Sequence, residues 1–168
     1  MGVVIFLNGP IGVGKTTLGQ GLAERLDAAF IDSDDLRNHS KTWVEEVLSG
    51  SKALVRVSMA ALSHRPILVV AKPLRHRDWA FLRAKFQAEG VAALCVTLTA
   101  PRDTILDARR GRDFTPGERA RIVEMIAQGY GERPFSDLVL ATDRAGFAET
   151  VTVLVDGCHV LLGKLGPT

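Results

Sequence analysis

Eight residues near the amino terminus, Gly9-Pro10-Ile11-Gly12-Val13-Gly14-Lys15-Thr16, constrain this chain more than any others. They satisfy the pattern GxxxxGK[ST], which arises by chance in a chain this long with a probability on the order of one in a hundred. The surroundings are those the pattern requires: the apolar run Val3–Leu7 before it, and Leu18, Leu22 and Leu26 at helical spacing after it. The residue types suit the phosphates of a nucleoside triphosphate. Gly9, Gly12 and Gly14 let the backbone curl around Val13 and turn its N–H groups toward phosphate oxygens. A helix starting near Lys15 adds about half a positive charge at its N-terminus. Lys15 is expected at the β- and γ-phosphates and the Thr16 hydroxyl on Mg²⁺, with Thr17 beside them in the nucleotide site. Gly19 and Gly21 in the following helix cost about 1 kcal/mol each relative to Ala, and close packing against the sheet accounts for them.

The rest of the chain supplies the frame. Five apolar runs read as strands: Val3–Leu7, Ala28–Ile31, Ile67–Ala71, Val91–Leu98 and Leu138–Ala141. Several are continuous rather than alternating, which suits strands covered on both faces. Helical patterns lie between them, among them Trp79, Leu82 and Phe86 on one face. Alternating strands and helices predict a three-layer α/β fold with a mostly parallel sheet. With 168 residues, 46% apolar and 24% charged, one domain over 1–168 with a single good core is expected. Thr115-Pro116-Gly117-Glu118 predicts a capped helix start, and that helix should end near Gly129. Asp78 is expected to cap the helix through Trp79. Thr42–His64 reads as helix divided at Ser49-Gly50-Ser51, and Gly163–Thr168 as a frayed tail.

The second strand runs into Phe30-Ile31-Asp32-Ser33-Asp34-Asp35-Leu36-Arg37. Its carboxylates leave the C-terminal edge of the sheet, where the glycine-rich loop also lies and where ligands bind in open α/β folds. Phosphoryl transfer needs a group to take the acceptor proton and another to complete the Mg²⁺ shell. Asp34 is the candidate for the first and Asp32 for the second, with Arg37 orienting the base or binding the acceptor. A helix cap by Ser33 or Asp34 explains the same residues and is compatible with that chemistry.

The glycine-rich loop and the Asp-x-Asp stretch together resemble the shikimate kinase and gluconate kinase group of small P-loop kinases. Asp34-Asp35-Leu36-Arg37 also looks like the DxxR element of polynucleotide kinases. The resemblance covers most of the chain. It implies a five-stranded parallel sheet in the order 2-3-1-4-5, and transfer of the ATP γ-phosphate to a small hydroxyl compound. It also implies a mobile lid near 109–116, at the stretch Ala108-Arg109-Arg110-Gly111-Arg112-Asp113-Phe114-Thr115. There Arg112 is the candidate for the transferring phosphate, and Arg109 or Arg110 for the adenine, although exposed arginines ending a helix read equally well. Thr142-Asp143-Arg144 sits where the group places one wall of the base pocket. Two departures matter. Ala71-Lys72-Pro73-Leu74-Arg75 replaces the Gly-Gly-Gly stretch of shikimate kinases, which argues against shikimate as acceptor. The acid usual at the end of the third strand is also absent, which shifts the metal onto Asp32. Lys72 and Arg75, with His76 and Arg77, form a basic cluster suited to a carboxylate or phosphate on the acceptor, or a solvated helix start. Arg133 is a further candidate for the acceptor or the phosphates.

The formal net charge of +2, from 21 basic and 19 acidic side chains, argues against long nucleic acid or a membrane as partner. Cys95 and Cys158 form no CxxC pair and read as reduced core residues. No leader or membrane span is apparent, so the expected compartment is the cytoplasm. The chain is expected to act as monomer or homodimer. A nucleotide-dependent regulatory ATPase or switch, and a nucleoside or polynucleotide 5′-hydroxyl kinase, are the alternative functions.

Overall fold

The computed structural model of the protein describes residues 2–36, 43–107, 109 and 112–166, and within these the backbone alone of 43–49. In chain order the elements are β1 (Val3–Asn8), α1 (Lys15–Arg25), β2 (Ala29–Asp32), a 3₁₀ turn (Ser33–Leu36), α2 (Trp43–Leu62), β3 (Ile67–Ala71), α3 (His76–Ala88), β4 (Ala92–Thr99), α4 (Arg102–Ile105), α5 (Pro116–Ala127), β5 (Leu138–Ala141) and α6 (Phe147–Lys164). The five strands form one sheet in the order β2-β3-β1-β4-β5. Every pairing is parallel, with Ile5 opposite Val69 on one side and Leu94 on the other. The fold expected from the sequence is the fold observed.

Strand β1 is central, and its side chains divide the core. Val3, Ile5 and Leu7 enter the layer under α1 and α6, with Leu18, Leu22, Leu154 and Val155. Val4 and Phe6 enter the opposite layer, with Leu54 of α2 and Trp79, Leu82 and Phe86 of α3. All six residues of β1 are buried, whereas those of β2 are half-buried and Val139 of β5 is exposed. The two outer apolar runs are thus less covered than their composition suggests, because an edge strand has a neighbour on one side only. Cys95 and Cys158 are free and buried, and burial pushes both thiols up to about 12.

Four local expectations need correction. Helix α2 runs unbroken through Ser49-Gly50-Ser51, because the hydrophobic face of a 20-residue helix outweighs the cost of one glycine. Asp78 caps α3 not from the N-cap position but as its third residue, completing a capping box in which its Oδ2 accepts the Arg75 N–H at 3.1 Å. Gly21 packs against α6 rather than the sheet: a Cβ there would lie 3.0 Å from Val151 Cγ2. Gly19 does face the sheet, where a Cβ would meet the Phe30 ring at 2.6 Å. Helix α6 extends through Lys164, into the stretch read as a tail. The Thr115 capping box is present, with Glu118 N–H donating to Thr115 Oγ1 at 3.2 Å and Thr115 N–H to Glu118 Oε2 at 2.9 Å.

Candidate active site

The loop Gly9–Gly14 leaves the C-terminal end of the central strand, so it stands over the middle of the sheet edge. Two glycines are dictated by space. Gly9 has φ 145°, and a Cβ there would lie 2.5 Å from the Leu98 carbonyl oxygen. Gly12 has φ 79°, and its Cβ would strike the Phe114 ring, also at 2.5 Å. Gly14, in the left-handed region, caps α1, whose N-terminus opens at Lys15. Val13 is buried beneath the loop, and its carbonyl accepts the Thr142 hydroxyl at 3.1 Å, tying the loop to the residue after β5. Thr17 lies exposed in the first turn of α1.

The Lys15 ammonium bends back over the loop and donates to the carbonyls of Gly9 (3.0 Å) and Pro10 (2.8 Å). Burial lowers its pKa to about 8, against the opposing charges of Asp34 and Asp32 and with the help of Arg112. Three other sequence candidates, Asp32, Asp34 and Arg112, therefore lie close enough for their charges to act on Lys15. Asp32 ends β2 and uses both carboxylate oxygens. Oδ2 accepts the Thr16 hydroxyl at 2.6 Å, and Oδ1 accepts the Asp34 N–H at 3.0 Å, starting the 3₁₀ turn. The Asp32 carboxylate thus caps the start of the turn, and Asp34 within it is exposed. The Thr16–Asp32 pair offers two hard oxygen donors side by side. That fits Mg²⁺, which takes one or two protein oxygens and completes its shell with water and phosphate. Among the described residues no group of three or more His, Cys, Asp or Glu side chains is placed to hold a metal, so a metal site rests on this pair.

Segment 112–115 reaches the loop beside α4, since Phe114 and Ile105 of α4 both face Gly12. Phe114 is buried against Gly12, and the Arg112 guanidinium sits 4.9 Å from the centre of the Phe114 ring. Arg112 also donates to Glu118 Oε1 at 3.0 Å. The Thr115 backbone N–H, and then Arg112, hold the Glu118 carboxyl below the usual range. Arg109 is exposed and makes a forked contact with Asp107, at 2.7–3.1 Å. Arg37, Arg110 and Gly111 lie outside the described residues.

Beside the loop opens a cleft of about 1010 Å³. Asp34 stands on its wall with Ile11 of the loop, so the cleft and the phosphate site share a border. The loop after β3 contributes Lys72 and Arg75, the start of α3 His76 and Arg77, and α5 Arg121 and Met125. Arg75 is paired with Asp78 at 3.0 Å, and Arg121 with Glu124 at 2.7 Å. Arg133 is buried, stacks 4.2 Å from the centre of the Tyr130 ring, and donates from Nε to Leu74 O and from Nη1 to Gln128 O, both at 2.9 Å. No carboxylate lies within ion-pair distance of it among the described residues. Sequence reasoning overlooked Arg121, Met125 and Tyr130, which reach the cleft only because α5 and the turn after it fold over it. It also overlooked Asn8. That residue's signal was present in the chain: an amide ends a central strand that is otherwise wholly apolar.

A parallel sheet with GxxxxGKT at the end of its middle strand, and a Thr–Asp oxygen pair beside the lysine, defines a P-loop nucleotide-binding protein. The chain belongs to a family described as an AAA domain, whose model matches residues 4–129. The fold is that of small P-loop kinases. It superposes on a gluconokinase from Sinorhizobium meliloti with a TM-score of 0.73 and 20% identity, covering 98% of this chain and 95% of that one. It superposes on the APS kinase of Mycobacterium tuberculosis, in complex with AMPPNP and APS, with a TM-score of 0.67 and 19% identity, covering 94% and 98%. A short segment is 59% identical over 32 residues to the shikimate kinase of Francisella tularensis subsp. novicida, and spans 19% of this chain and 18% of that relative. No helix among the described residues is long and apolar enough to cross a membrane.

Proposed function

We propose that this protein transfers the γ-phosphate of ATP to a hydroxyl group of a small anionic molecule held in the cleft. The observation that carries the reading is the position of Asp34. It borders both the phosphate site, where its charge bears on Lys15, and the basic cleft. A regulatory ATPase has no use for a walled cleft beyond the phosphates, and the cleft favours the kinase.

In this reading the loop N–H groups and Lys15 hold the β- and γ-phosphates. Thr16 and Asp32 hold Mg²⁺, which when bound supplies positive charge to the phosphate oxygens. Asp34 orients the acceptor hydroxyl toward the γ-phosphorus and receives its proton. The new O–P bond forms as the bond to the β-phosphate oxygen breaks, and ADP leaves. Residues 109–116 act as a lid: Arg112 moves from Glu118 to the transferring group, where charge spreads over the equatorial oxygens. Arg109 or Arg110 covers the adenine. Lys72, Arg75 and Arg133, with Arg37, recognise the anionic end of the acceptor. The chain works as one domain.

The supporting comparison is the shared fold of proteins named gluconokinase and APS kinase. The test is ADP release from Mg-ATP in the presence of a panel of carboxylated, phosphorylated and neutral hydroxyl compounds. At least one anionic compound should accelerate release more than tenfold over water alone. Acceleration by neutral polyols only would overturn the anionic reading, and no acceleration by any class would overturn the kinase reading.

A further inference from the structure

We propose that Asn8 is a positioning residue: it sets the distance between the phosphate-binding loop and the two loops that wall the acceptor cleft. The proposal rests on the kinase reading for its catalytic consequence, but not for its geometry.

Asn8 is the last residue of β1, directly before Gly9, and is fully buried. Its Oδ1 accepts the Leu74 N–H at 2.8 Å, and its Nδ2 donates to Tyr130 O at 2.9 Å and to Thr97 Oγ1 at 3.0 Å. The amide orientation follows from the partners, since a backbone N–H needs an acceptor and a backbone carbonyl needs a donor. Thr97 Oγ1 in turn lies 2.5 Å from Ser136 Oγ. A hydrophobic side chain would fill a central strand at lower desolvation cost, so a buried amide here calls for a reason. Its bonds supply one: two of the three leave the sheet and end on cleft loops.

Leu74 is itself buried, but it lies between Lys72 and Arg75, which line the cleft, and Tyr130 lines it together with Gln128 and Arg133. The ring is closed by Arg133, whose Nε holds the Leu74 carbonyl and whose Nη1 holds Gln128 O. Leu74 is therefore gripped at both its N–H and its C=O. The two loops are fastened to each other by Arg133 and to the phosphate loop by Asn8. This gives Arg133 a second part, as a strut as well as a charge. In-line transfer needs the reacting atoms about 3–3.5 Å apart, and an error of about 1 Å costs on the order of 10²-fold in rate. An amide adjoining Gly9 and bonded to both acceptor loops controls that separation.

The test compares wild type with Asn8→Ala, and with Asn8→Ser as the milder change should the first not fold. Amide hydrogen exchange should quicken about tenfold or more in 72–77 and 128–133, while β1, β3 and β4 keep their protection. The Kd for Mg-AMPPNP should stay within about threefold of wild type. With D-gluconate and glycerol 3-phosphate as acceptor probes, kcat/KM for whichever probe is used by wild type should fall about 10²-fold, with KM for ATP unchanged. Exchange that rises evenly across the whole sheet, or loops that stay protected, would make Asn8 an ordinary core residue and overturn the proposal. Wild-type ADP release indifferent to every acceptor counts against the function proposed above. The exchange pattern decides the role of Asn8 on its own.

Discussion

Raising the pH from 7 to 9.5 should weaken the hold of this protein on Mg-ATP, through one side chain. Burial takes the Lys15 ammonium from the usual 10.5 to about 8. A bound triphosphate brings several negative charges to that ammonium and favours its protonated form. The bound state then carries more protons than the free protein between about pH 8 and the higher pKa of the complex. Binding must take up a proton in that window, and affinity must fall as the pH rises. The limiting slope is about tenfold per pH unit. At pH 8 about half of the free protein needs a proton, so uptake should be about 0.5 proton per nucleotide, rising to about 0.9 at pH 9. By pH 9 the Kd should be about tenfold above its pH 7 value, about 1.4 kcal/mol. The phosphate groups of the ligand titrate near pH 6 and contribute little there. Titration calorimetry at pH 8 in two buffers of different protonation enthalpy reads the uptake directly. Lys15→Arg, charged at every accessible pH, should bind with no uptake. Zero uptake by wild type at pH 8, or an equal uptake by Lys15→Arg, would refute the reasoning.

Three other perturbations separate the remaining roles. Asp34→Asn keeps the size and the backbone hydrogen bond to Asp32, so melting temperature and nucleotide binding should be near native, while acceptor-dependent kcat falls about 10²-fold or more; an unchanged kcat would leave Asp34 only a turn residue. Gly12→Ala places a Cβ 2.5 Å from the Phe114 ring at φ 79°; it should cost about 2 kcal/mol or more in urea unfolding and loosen nucleotide binding with it, and a neutral result would mean that Phe114 moves freely. Gly50→Ala fills space in which nothing described lies within 4 Å; it should stabilise α2 by about 1 kcal/mol, raising the melting temperature by about 2–4 °C, and a lower value would mean that the glycine serves a bend.

The parts legible in the sequence are those governed by local pattern. The glycine-rich loop between an apolar strand and an amphipathic helix gave away the sheet edge, the strand positions to within a residue, and the neighbourhood of Lys15, Thr16, Asp32 and Asp34. What stayed hidden depends on contacts between distant segments. Asn8 meets Leu74, Thr97 and Tyr130, which lie 66, 89 and 122 residues away; no window of sequence contains such a relation. Arg133 reads as a ligand from its charge, but its bond to the Leu74 carbonyl, 59 residues away, appears only when the loops after β3 and α5 meet. Gly50 misled for the opposite reason, because a local breaker lost to a long helix packed on the sheet. Arg75 and Arg121 were open to a similar error. Each is a cation by composition, yet each is paired within its own helix start or turn.

Helix α5 begins with Glu118 holding Arg112 and, within two further turns, presents Arg121 and Met125 to the cleft. Twelve residues make a rod about 18 Å long, too short and too regular to bend between these points. A substitution that tilts the helix to admit a bulkier acceptor therefore also shifts the rest position of Arg112 over the phosphates. Lineages that change acceptor by way of α5 must re-tune the lid at the same time. The segment Lys72–Arg77, from the loop after β3 into the start of α3, carries no such penalty. Its backbone is clamped at Leu74 by Asn8 and Arg133, and its outward side chains can be exchanged while everything around the nucleotide stays where it was. Divergence in acceptor preference should run fastest through the outward positions Lys72, Arg75, His76 and Arg77.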